Sequence, residues 1–105
     1  MVAIKPDPWL KPGDIDSEAP FGVIISEPVY INPDPNDASV EALRCVLELP
    51  HNIQKEYTFN KTSEKLWRGM HADETNAWVG KKGKFHLEDK MIRGNLKKVI
   101  YFMPL

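Results

Sequence analysis

Eight of the nine prolines fall at or before position 50, and this distribution limits the first half of the chain more than any other feature. Proline locks φ and removes a backbone donor, so a segment punctuated by it forms neither a long helix nor an inner strand. Residues 1–20, with Pro6, Pro8, Pro12 and Pro20, therefore read as an extended, Pro-rich N-terminal arm. Trp9 within it carries too much apolar surface to be left in water. The arm is expected to dock on its own domain or on a neighbouring chain.

The runs between and after the prolines are short and favour strands. Phe21–Ser26 is rich in β-branched residues and bounded by Pro20 and Pro28, and Val29-Tyr30-Ile31 continues extended. Asn32–Asp37 strings turn-forming residues together and predicts a loop. Val40–Leu49 reads two ways. As a strand it places Leu43, Cys45, Leu47 and Leu49 on one face, with Arg44 and Glu48 on the other; as a helix it has Asp37 or Ser39 as a cap. Seven residues of alternation favour the strand, and a helix near residues 38–49 is the alternative.

Downstream, Glu56–Phe59, Lys65–Met70, Ala77–Val79, Lys84–Leu87 and Lys98–Met103 each suit a strand, with turn residues such as Gly80, Gly83 and Gly94-Asn95 between them. Strands recurring about every ten residues point to an antiparallel β-sandwich or small β-barrel, with residues 21–105 as one β-rich domain. A chain of 105 residues suits a single core. The run Val99–Met103 lacks a polar break, so both of its faces need a cover: the arm, a helix, or a second subunit. Self-association is expected on that ground.

Charge is unevenly spread. Residues 1–50 carry three basic and nine acidic groups, a net −6, and residues 51–105 carry eleven basic and six acidic groups, a net +5. The basic excess concentrates in Lys81, Lys82, Lys84, Lys90, Arg93, Lys97 and Lys98, with Trp78, Phe85 and Tyr101 nearby. Such a mixture suits an acidic protein partner, and less readily a nucleic-acid strand or a sugar. A chain of net charge −1 has no global positive field to support phosphate binding. Trp9, Trp78, Lys81, Lys82, Lys84, Arg93, Lys97 and Lys98 are accordingly the candidate binding residues.

Signals for chemistry are weak. Cys45 is the only cysteine and lies on the apolar face of its segment, where an inert buried thiol is the ordinary outcome. A lone cysteine also speaks against disulfides and suggests a reducing, cytoplasmic setting. His71-Ala72-Asp73-Glu74 brings an imidazole and two carboxylates together but lacks the paired spacing of zinc sites. Asp34, Asn36 and Asp37 lack the glycine and distal glutamate of a calcium loop. The triplet Asn60-Lys61-Thr62 matches a glycosylation sequon, with no secretory signal to support it. No catalytic residue, cofactor, metal or membrane partner is assigned. The expected role is a non-catalytic protein–protein interaction module, such as an adaptor, an inhibitor, an immunity-like protein or part of an assembly. A carbohydrate- or nucleic-acid-binding β-domain is the alternative, and a small enzyme or metal site around His71, Asp73 and Glu74 is the third reading.

Overall fold

The computed structural model describes residues 8–105. Six antiparallel strands form one sheet: β1 (Phe21–Ile24), β2 (Val29–Ile31), β3 (Ala42–Leu49), β4 (Ile53–Thr58), β5 (Lys82–Ile92) and β6 (Asn95–Pro104). One α-helix is found among the described residues, α1 (Lys61–His71), which follows β4. β1 and β2 lie in succession along one edge of β3, and β4 lies along the other. Where the chain breaks between β1 and β2, Ser26 Oγ accepts from Val46 N–H at 2.8 Å and the Ile25 N–H reaches Val46 O at 3.0 Å. β1 then passes the sheet on to β5, and β5 to β6.

β3 is the organising strand. Leu43, Cys45, Leu47 and Leu49 are all buried, as their alternation predicts, and the helix considered near residues 38–49 is not there. The loop before it is built from Asx turns, with the side chains of Asn32, Asp34 and Asp37 each accepting from the backbone N–H two residues on. The β3–β4 connection turns through Pro50–Asn52, where His51 and Asn52 take positive φ.

Two elements differ from expectation. Lys65–Met70 is helical, and Ala77–Val79 gives way to a 3-10 turn over Thr75–Trp78. Asn60 starts α1 by accepting from Ser63 N–H at 2.8 Å, and that cap outweighs the two-residue alternation read through Leu66, Arg68 and Met70. Ser63 and Trp67, four residues apart, form the buried stripe. Trp67 does point inward, but from a helix.

The sheet curls without closing. β4 and β6 do not pair, yet the Tyr57 and Phe102 rings lie 5.9 Å apart. α1 fills one end of this seam. Four side chains serve the β6 backbone there: Tyr57 OH and Asn60 Nδ2 donate to Ile100 O at 2.8 and 3.0 Å, Trp67 Nε1 donates to Phe102 O at 2.9 Å, and Ser63 Oγ accepts from Phe102 N at 2.9 Å. α1 thus covers the Phe102 side of the apolar C-terminal strand, where the Trp67 ring stacks on Phe102 at 5.1 Å between centroids.

Candidate interaction surface

The sheet's long hairpin governs the placement of the basic residues. β5 pairs with β1 only at Lys82–Lys84, whereas its pairing with β6 runs on to Ile92↔Asn95. Beyond the body of the sheet, β5 and β6 therefore continue as a two-stranded ribbon. Arg93 and Gly94 close it with φ of 51° and 78°, the double positive φ of a type I′ turn, which matches the twist of the strands it joins. Residues 88–98 are all exposed.

Side chains alternate across this ribbon. Leu87↔Ile100, Asp89↔Lys98 and Met91↔Leu96 share the face that continues the core, whereas Glu88↔Val99, Lys90↔Lys97 and Ile92↔Asn95 share the other. Near the tip, Met91 and Leu96 are 69% and 67% exposed, and Ile92 also stands open to solvent. On the outer face Lys90 and Lys97 sit directly opposite each other, a repulsive arrangement. Lys90 leans back over the Tyr101 ring, 5.2 Å from its centroid. Lys98 meets Asp89 at 4.0 Å on the inner face.

The candidate basic set separates into two groups. Lys81, Lys82 and Lys84 lie at the body of the sheet, where Lys82 Nζ caps the Phe21 ring at 4.7 Å. Arg93, Lys97 and Lys98 lie toward the ribbon end. Lys98 and Lys97 pair with Asp89 and Lys90, so at the usual rise per residue the group begins roughly 17 Å beyond Lys84 and reaches roughly 30 Å at Arg93. Trp78 joins neither. It is fully buried in the core, with Nε1 donating to Ala72 O at 3.0 Å, so the expectation of an exposed stacking ring there is corrected. Its short apolar flank, Ala77-Trp78-Val79, reads as a strand, but Trp78 packs on Phe59 and Trp67 instead.

Trp9 is 42% exposed and docked on its own domain. It forms a parallel bridge to Glu56, with Glu56 N–H bonded to Pro8 O at 2.7 Å and Leu10 N–H to Glu56 O at 2.9 Å. The Arg44 guanidinium lies 4.4 Å from its ring centroid. The first seven residues of the arm lie outside the described residues.

Between the docked arm and the lower half of β6, the seam that α1 leaves open forms a groove of about 390 Å³. Trp9, Leu10, Pro12, Glu56 and Thr58 line one side, and Ile92 and Lys97–Ile100 the other. A second depression of about 710 Å³ lies on the outside of α1, between Leu66, Met70, Met103 and Pro104.

The remaining titratable groups do not converge. Among the described residues no group of three His, Cys, Asp or Glu side chains is placed to hold a metal ion. His71 packs on Trp67 at 5.0 Å between ring centroids, while Asp73 and Glu74 are exposed. Burial pushes the Cys45 thiol up to about 12, which keeps it un-ionised and unreactive at neutral pH. Asn60 of the sequon caps α1. No helix among the described residues is long and apolar enough to cross a membrane. Comparison with family models, curated proteins and solved structures finds no significant match.

Met91, Ile92 and Leu96 are the surface residues that sequence reasoning missed. Glu88-Asp89-Lys90 reads as a polar spacer after a strand ending at Leu87, yet the strand runs through it. The available signal was Met91-Ile92 and Leu96 on either side of Arg93-Gly94-Asn95, two apolar edges around a turn.

Proposed function

We propose that this protein is a non-catalytic protein–protein interaction module whose contact element is the β5–β6 ribbon. The observation that carries the proposal is the exposed Met91–Leu96 cross-strand pair, set with Ile92 among Lys90, Arg93, Lys97 and Lys98. A two-stranded ribbon has no core of its own and is marginal in water. Exposed apolar side chains on such an element gain stability when a partner covers them. Cations around an apolar centre are the arrangement of an interface rim, where they steer an acidic partner and reject a basic one.

The partner is another polypeptide, either a second copy or a different protein with acidic character. A reducing, cytoplasmic setting fits the lone, buried thiol of Cys45. The test pairs affinity capture with light scattering on the wild-type chain and on the double variant Met91→Ser, Leu96→Ser. Both substitutions lie on exposed positions, so the melting temperature should stay within about 3 °C of wild type. Stable self-association or partner capture should fall at least tenfold in the double variant. Equal association by both proteins would remove the ribbon from this role.

A further inference from the structure

We infer that the open edge of β6 accepts an extended, acidic segment of a partner protein as an added strand. The inference rests on the interaction reading above and specifies its mode. In antiparallel pairing, alternate residues direct both backbone polar groups away from the neighbouring strand. The tight turn makes Ile92↔Asn95 a hydrogen-bonded pair, so Leu96, Lys98, Ile100 and Phe102 direct their N–H and C=O groups away from β5. The side-chain bonds to Ile100 O and to both Phe102 groups follow this phase.

β6 thus has two kinds of edge. The half beside α1 is closed by Tyr57, Asn60, Ser63 and Trp67. The half toward the tip, at Leu96 and Lys98, pairs with no strand other than β5 among the described residues, and Lys98 lines the groove. An extended chain laid there would use these backbone groups, the mode by which exposed sheet edges take up peptides.

Side chains define the chemistry of this occupant. Lys97 and Lys98 are adjacent and therefore project on opposite faces, so a strand beside them meets a cation on each. Lys97 has Lys90 directly opposite it across the ribbon, with Glu88 two residues along β5 on the same face, so two cations there share one carboxylate and a further anion is favoured. Leu96 lies before this pair, and Val99 and Ile100 after it. The matching strand carries two consecutive acidic residues opposite Lys97 and Lys98, flanked by β-branched residues.

The probe is a capped peptide with the core Val-Val-Glu-Glu-Val, flanked by glycine and serine, compared with its Val-Val-Lys-Lys-Val counterpart. Binding is read by NMR titration together with amide hydrogen exchange on the full chain. The acidic peptide should bind at least tenfold more tightly than the basic one and slow exchange at Leu96 and Lys98 at least tenfold. Lys97→Glu should reverse the preference between the two peptides. Leu96→Pro removes an outward donor without removing a β5–β6 bond, and should abolish binding while leaving the Trp67 and Trp78 environments unchanged. No binding at millimolar peptide, equal binding of both peptides, or binding without protection of Leu96 and Lys98 would overturn the inference. So would binding of an oligodeoxythymidylate or of phosphatidylserine vesicles in place of the acidic peptide. If these failures occur while Met91→Ser, Leu96→Ser still abolishes protein association, strand addition alone is wrong; if association also survives, the ribbon reading falls with it.

Discussion

Gly83 marks the tightest point of the core. A Cβ built there would lie 2.5 Å from the Phe102 ring and 2.8 Å from Trp67 Cζ2, and Gly22, its partner across β1 and β5, faces the Phe85 ring in the same way. The two glycines leave room for aromatic rings to lie against bare backbone. Gly83→Ala should therefore cost about 1–3 kcal/mol, because rings stacked on both sides cannot yield as a flexible chain would. Urea denaturation measures this directly. His71 offers a second residue-level test. Burial, with a smaller contribution from the charge of Lys81, holds its pKa below the ordinary value of 6.5. The folded state thus takes up a proton less readily than the unfolded state. The stability this group supports is complete above its ordinary value and is lost as pH falls through 6.5 toward the lower folded value. Melting temperature should decline from pH 7.5 to pH 5.5, and His71→Gln should flatten that decline.

At the level of elements, α1 shows where sequence patterning misleads. Lys65–Met70 alternates well enough to read as a strand, because Trp67 with Gly69 and Leu66 with Met70 separate at a period of two. The helical stripe is sparser: Asn60, Ser63, Trp67 and His71. Apart from Trp67 its members are a polar cap, a serine and a histidine, so no apolar periodicity announces it. Asn60 and Ser63 are inward because the β6 backbone needs partners, a demand that arises only once β4 and β6 have come together in space. β3 was legible for the opposite reason. Its buried residues Leu43, Cys45, Leu47 and Leu49 are all apolar, and the outward set carries the charged Arg44 and Glu48, so local pattern and tertiary burial agree. Asn60 joins both requirements, bonding Ser63 N–H and Ile100 O. Asn60→Ala should cost about 1–2 kcal/mol, near the upper range for a lost cap, since the Ile100 bond goes too. Asn60→Asp restores the cap acceptor without the donor to Ile100 and should recover only part of the loss in the same denaturation experiment.

For the molecule as a whole, the mainly β class and the docking of Trp9 followed from composition and proline spacing, whereas the surface geometry did not. One lysine-rich run from Lys81 to Lys98 looks continuous in sequence but spans the length of a hairpin, so its two ends serve different places. Trp78 lies at the head of that run yet belongs to the core, because a tryptophan beside Gly80 is free to fold back onto Phe59 and Trp67. What distinguishes the ribbon is exposure of Met91, Ile92 and Leu96 on an element that reaches beyond the rest of the sheet. Site-specific photo-crosslinking tests that role most directly, with Leu96 replaced by p-benzoylphenylalanine and Lys61, exposed on α1, replaced in a control. Recognition through the ribbon requires a covalent adduct with a second polypeptide from position 96 and little or none from position 61. No polypeptide adduct from position 96, or equal yields from both, would contradict it.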